Sequence, residues 1–239
     1  MTSLSNVSSR LHNPPSLCDV RTGRSSDFFA VPFGQMTFDS EGSEVAGPYF
    51  SRSIHWPGGA SGVTIGRGYD LGQRSRKQVF HELTYSGVPT EVATALSAAA
   101  GLRGEGARRF VLARHRAIPA ISPLVQRELF ERITTPETIQ DLKRILSRSS
   151  LSAPAGGTTW ETLPLQVREL LFDLRYRGDY TQRTRELLHP LIAQDDREQI
   201  AALMKDTNLW LEMGVPADRI ARRAALFDEH DRSASKLCA

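Results

Sequence analysis

Gly62, Gly66, Gly68 and Gly72 punctuate the stretch 61–72, Ser-Gly-Val-Thr-Ile-Gly-Arg-Gly-Tyr-Asp-Leu-Gly. Val63 and Ile65 alternate with Thr64 in the period of a short strand, and glycines at such spacing mark bends or places where other backbone comes close. Between the glycines stand a hydroxyl, Thr64, and a carboxylate, Asp70, both able to hold a water molecule.

The surroundings extend this β signal. Residues 47–56 alternate loosely, with Phe50, Ile54 and Trp56 on one parity and Ser51, Ser53 and His55 on the other. Pro57-Gly58-Gly59 then forms a turn signal ahead of Val63 and Ile65, so the spacing predicts an antiparallel hairpin in a β-rich lobe of about 30 residues. Elsewhere the pattern is helical. Val79, Phe80 and Leu83 keep helical spacing, 90–100 is alanine-rich and ends at Gly101, and Ser122-Pro123 and Thr135-Pro136 each read as an N-cap with proline in the first turn. Ser147 to Thr159 reads as an internal loop. Beyond it Val167, Leu170, Leu171 and Leu174 make the clearest amphipathic helix, expected in the core. Two further helices are predicted around Ile200, Leu203 and Met204 and around Ile220, Ala224 and Phe227, the last opened by Pro216. The fold class expected is α+β, a small hairpin lobe and a large all-helical lobe with a cleft between them.

Composition narrows the chemistry. The 239 residues suffice for a core without staples, and no apolar run approaches the roughly 18 residues of a membrane span. Cys18 and Cys238 lie near opposite ends, leaving room for one terminal bridge and for no cysteine cluster. Residues 1–30 read as a flexible leader ahead of a domain at 31–239, and they lack the apolar stretch of a secretory signal. Basic residues are arginine-biased, with clusters at Arg103/Arg108/Arg109/Arg114/Arg116 and Arg219/Arg222/Arg223 that could meet a polyanion. Nucleophile-elbow, zinc-helix, dinucleotide and phosphate-loop motifs are all incomplete, so no metal or cofactor is expected.

What remains is a pair of carboxylates with a hydroxyl. Glu41 follows the apolar run 28–38 at the predicted end of an element, and with Thr64 and Asp70 it supplies the inventory for cleaving a glycosidic bond: one acid to protonate the leaving oxygen and one carboxylate to activate water.

Glu41-Gly42, followed by the stretch from Ser61 to Gln73, resembles the catalytic segment of the phage-type lysozymes, in their pesticin-like branch. That branch carries a catalytic Glu, a water-positioning Thr and a catalytic Asp in this order, and the matching residues are Glu41, Thr64 and Asp70. In the T-even phage form the Asp precedes the Thr by six residues; that position here is Gly58, which makes Asp70 the choice and Asp39 a spare. Leu163 to Tyr180 resembles the family's central helix, and Trp210, Gly214-Val-Pro216 and Arg219 its C-terminal helix, where an arginine pairs with the catalytic Glu. The resemblance implies a lysozyme-like fold and a muramidase cutting the β-1,4 bond between N-acetylmuramic acid and N-acetylglucosamine. Inversion would set the two carboxyls roughly 6.5 to 9.5 Å apart. It further implies a peptidoglycan substrate met in a periplasm after export without a signal peptide, a role as antibacterial toxin or lytic enzyme, and an immunity or inhibitor protein bound in the cleft. The competing expectation is a non-catalytic wall-binding or nucleic-acid-binding helical protein that uses its arginine clusters.

Overall fold

The computed structural model describes residues 27–47, 50–149 and 157–237. The protein is mostly helical with one small antiparallel sheet, an α+β layout. Residues 1–26 of the expected leader lie outside the described residues. The described residues open with a short turn at Asp27–Phe29, whose Phe29 packs on the main core. Helix α1, Gln35–Ser40, follows and ends with Glu41 as its C-cap.

The sheet consists of β1, Thr64–Ile65, and β2, Tyr69–Asp70, in the register Thr64↔Asp70 and Ile65↔Tyr69. The hairpin expected between 47–56 and 63–65 is reduced to one bridge, His55↔Thr64. A turn closed by Ser53 N–H on the Phe50 carbonyl breaks the outer segment before it can run as a strand.

Three helices come next: α2, Arg76–Tyr85, started by a Ser75/Gln78 capping box; α3, Thr90–Ser97; and α4, Glu105–Arg114. They share one core with the sheet, in which Val63, Ile65 and Leu71 meet Val79, Leu83 and Leu96. The smaller lobe is therefore a β-ribbon wrapped by helices, larger than the β-rich lobe that the alternation predicts. A ribbon of two-residue strands has too little apolar face to stand alone.

Ser122 caps α5, Pro123–Leu129, as its Ser-Pro signal predicts. Thr135-Pro136 starts no separate helix. The chain continues from α5 through a π-helical turn, Phe130–Thr134, into α6, Thr135–Leu146. Proline lacks an N–H and its ring crowds the carbonyl four residues back, and a widened turn relieves both. Helices α7, Leu165–Arg177; α8, Gln182–Ala193; α9, Arg197–Lys205; α10, Thr207–Glu212; and α11, Ala217–Leu237, complete the chain. Of these, α8 and α10 are not foreseen. The predicted core helix is α7, where Leu170, Leu171, Phe172 and Leu174 are each 0% exposed; each such side chain contributes about 1.5–3 kcal/mol by burial. Among the described residues no helix is long and apolar enough to cross a membrane.

Candidate active site

Gly66 and Gly68 adopt φ of 65° and 89°, which turns the hairpin tightly and aims Arg67 into the protein. The guanidinium is 6% exposed and stacks over the Phe38 ring. One nitrogen, Nη1, donates to the Phe38 carbonyl at 2.9 Å and the Gly42 carbonyl at 3.0 Å, while Nη2 meets Glu44 Oε1 at 3.0 Å. The carbonyls ending a helix lack partners within it, and a cation is favoured there. Arg67 supplies both needs, bolting the hairpin turn to the end of α1 with Glu41 between the two clamped residues.

Glu41 is held from the other side by the C-terminal helix. Arg219 Nη2 lies 2.7 Å from Glu41 Oε1. The same guanidinium grips Asp173 of α7 through Nε at 3.0 Å and Nη2 at 2.5 Å. Arg223, one turn further along α11, donates to Asp173 at 2.7 Å and to Asp179 at 2.6 Å. Thr37 of α1 donates its hydroxyl to Asp173 Oδ1 at 2.9 Å. The Asp173 carboxylate is 0% exposed, and Arg219 and Arg223 are 5% and 1% exposed. The cluster read as a polyanion-facing Arg219/Arg222/Arg223 is thus divided. Arg222 faces solvent, while its two neighbours are interior cations.

Thr64 and Asp70 face each other across the sheet. Both backbone bonds of Thr64 go to His55, N–H to carbonyl in each direction at 2.9 Å. A strand residue points its N–H and carbonyl to one side, so the Thr64–Asp70 pair is the non-hydrogen-bonded kind, whose side chains stand closest. The Asp70 carboxylate is fixed by backbone donors, Gly72 N–H at 2.6 Å and Gly62 N–H at 3.2 Å. A Cβ at residue 62 would fall 2.0 Å from Asp70 Oδ1, so glycine is required there for the carboxylate to lie down on the backbone. The Thr64 hydroxyl makes a long contact of 3.4 Å to the Gly62 carbonyl.

A cleft of about 460 Å³ opens beside this pair. Gly68, Asp70, Gln73 and Arg74 line one wall, and Thr134, Glu137, Asp141, Arg175 and Tyr176 the other. An ion pair between Arg74 and Glu137 spans it. Burial pushes the Glu137 carboxyl above its usual range, against the opposing pull of Arg74. Burial pushes Asp141 the same way, but hydrogen bonds and charge from Arg175 and Arg144 outweigh it and hold that carboxyl low. Tyr176 donates its hydroxyl to the Arg67 carbonyl and sits so close to residue 68 that a Cβ there would be 2.8 Å from its oxygen. Burial raises the Tyr176 phenol, and the charges of Glu41 and Glu137 raise it further.

The sequence-predicted residues therefore fall into two groups, Glu41 with Arg219 and Thr64 with Asp70. Asp70 lines the cleft. Glu41 stands off that lining but near enough to Tyr176 for its charge to act on the phenol, and it is joined to the hairpin through Arg67. Asp39 is exposed and accepts from Gln35 Nε2 at 2.9 Å. Sequence reasoning passed over Asp173, Arg67 and the cleft carboxylates. For Asp173 a signal exists: it is a charge three residues after Leu170 on the apolar face of the core helix, a place that calls for an opposite charge. No curated protein matches the chain. A family model covers residues 34–224, which takes in both groups and the buried ion network. The chain belongs to the family described as Domain of unknown function (DUF8812).

Proposed function

We propose that the protein is a peptidoglycan hydrolase with a lysozyme-like arrangement, an N-acetylmuramidase whose glycan strand enters the cleft between the two lobes. The observation that carries this reading is the Arg67 clamp, which fastens the helix end bearing Glu41 to the hairpin bearing the facing pair Thr64 and Asp70. Three groups suited to acid/base hydrolysis thereby sit on one braced unit, and one of them, Asp70, lines a polar groove of substrate size.

In this reading Glu41 gives its proton to the glycosidic oxygen as the bond breaks. Arg219, itself anchored on Asp173, keeps that carboxyl oriented. Asp70 takes a proton from a water held between it and the Thr64 hydroxyl, and the water attacks the opposite face of the sugar, inverting the anomeric centre. The site of action is the wall of a target cell, as toxin or lytic enzyme, and a small inhibitor protein filling the cleft is the partner to seek.

The test is a zymogram on purified peptidoglycan with the wild type, Glu41→Gln and Asp70→Asn, followed by NMR of the first-formed reducing end. A clear band that both substitutions erase, with an α-anomer product, is expected. Cleavage by Glu41→Gln at the wild-type rate would sink the assignment.

A further inference from the structure

The positive charge of this chain is concentrated on helix α4 and the residues that flank it. Residues 103–116 hold Arg103, Arg108, Arg109, Arg114 and Arg116 against Glu105 alone, a net +4 with His115 neutral, whereas the whole chain is +3, so the rest carries −1. All five arginines are exposed. Glu105 engages Arg108 at 3.2 Å, between side chains each at least half exposed. Helix α4 turns Ala107, Phe110 and Val111 into the smaller lobe's core; its outer face carries Arg108 and Arg109 around Leu112, which is 71% exposed, and Arg114 is exposed at the helix end. Like charges crowded on one helix repel, and among the described residues no ion-pair network on this face offsets them. The basic cluster also reaches the candidate site, through the residue two places ahead of the helix. Arg103 bridges to Gly62 through the backbone, and its Cγ lies 3.0 Å from where a Cβ at residue 72 would stand, next to the donors that hold Asp70.

We propose that the outer face of α4 docks the carboxylate-bearing peptide branches of the same peptidoglycan strand whose glycan occupies the cleft, a proposal that rests on the wall-hydrolase reading. Guanidinium and carboxylate match in charge and in planar, two-point geometry. A strand already seated beside Asp70 presents its branches at high effective concentration, so weak exposed pairs suffice. Insertion into a lipid surface needs an apolar helix face, and that of α4 is turned inward. Single-stranded nucleic acid stacks on exposed aromatics, and Phe110 points to the core.

The full-length Glu41→Gln protein, which binds without cutting, is sedimented with purified sacculi at low and high salt, alone and with Arg108→Glu, Arg109→Glu and Arg114→Glu combined. At low salt the triple substitution should weaken apparent affinity by about tenfold or more, and high salt should erase most of the difference. Sacculi whose peptide carboxyls have been amidated with carbodiimide and ammonia, which keeps the cross-linked network and removes the anionic charge, should bind parent and triple variant alike. An unchanged urea midpoint shows that the substituted protein is folded. Equal sedimentation of parent and triple variant on intact sacculi overturns the proposal, as does undiminished binding of the parent to the amidated sacculi or its displacement by DNA. Cleavage plays no part in the readout, so failure of the zymogram and failure of this docking surface are separately visible.

Discussion

Replacing Asp173 by asparagine removes a single charge from between two buried guanidiniums while conserving volume, so no cavity complicates the outcome. In the native protein that carboxylate accepts from Thr37, twice from Arg219 and once from Arg223, and it is 0% exposed. The variant leaves Arg219 with Glu41 and Arg223 with Asp179 as their remaining charge partners, and whichever way the amide turns its N–H₂ meets a guanidinium, which can only donate. Breaking a buried pair from one side costs about 3–5 kcal/mol, against a total stability of about 5–15 kcal/mol. With a urea slope of about 2 kcal/mol/M, the unfolding midpoint should fall by about 1.5–2.5 M. A double-mutant cycle sharpens the claim. Arg223→Met should cost more in the wild type than in the Asp173→Asn background, where only its pair with Asp179 is left to lose, a coupling of about 2 kcal/mol or more. A midpoint shift under about 0.5 M, or additive single and double variants, would refute the reasoning that these charges form one cooperating cluster.

Arg67→Met removes two charge-assisted bonds to backbone carbonyls, each worth about 1.5–3 kcal/mol, and frees the Glu41 segment from the hairpin; wall-clearing activity should drop by more than the stability loss measured in urea explains. Gly62→Ala drives a methyl into the Asp70 carboxylate and the Gly72 backbone, so it should cost about 1–3 kcal/mol and abolish hydrolysis, with circular dichroism at low temperature showing retained helix. His55 and His189 both titrate below the usual 6.5 because burial disfavours their charged forms. As pH falls through 6.5 the unfolded chain takes up these protons first, so stability is full above that value and declines as pH drops through the lower folded pKa values. The urea midpoint should fall between about pH 7.5 and about pH 5.5, and replacing both with glutamine should flatten that slope. For Asp141, held low by its arginines, stability should likewise be complete above its unfolded value of 3.8 and be lost as pH falls below it, an acid-limb loss that Asp141→Asn removes.

Local rules made the strand at Thr64–Ile65 and the end position of Glu41 readable, since residue alternation and the apolar run before residue 41 act over a few residues, but they assigned that strand's partner to 47–56 instead of Tyr69–Asp70. The ion pair of Glu41 with Arg219 spans 178 positions, and it came from the resemblance of two motifs to a known family rather than from any local pattern. Asp173 lay hidden because an isolated acid in a leucine-rich helix is ordinarily read as its solvent face. Arg67 was overlooked because Gly-Arg-Gly reads as backbone punctuation, and the side chain's destination depends on where α1 ends. Helix α4 escaped notice because Gly104, Gly106 and a run of arginines mask its short apolar stripe of Ala107, Phe110 and Val111. Thr135-Pro136 misled for the opposite reason. Its local signal is sound, but tertiary packing of Phe130 against Phe38 and Phe172 carries the helix straight through it.

The π-helical turn has a mechanical meaning. Leu129 belongs to the core of the smaller lobe and its neighbour Phe130 to that of the larger, while Ile133 packs on the smaller again, so one rod from Pro123 to Leu146 is shared by both bodies and the two cores overlap along its π-helical turn. At that point the Thr135 N–H reaches back to the Phe130 carbonyl, a wider and looser ring than its neighbours, and Pro136 has no N–H to tighten the next one. A beam with one soft turn flexes there. Thr134 and Glu137, on opposite sides of Pro136, form part of the cleft wall, so a change of pitch at this turn would change the width of the cleft, and on the proposed reading a seated strand would hold the turn in place.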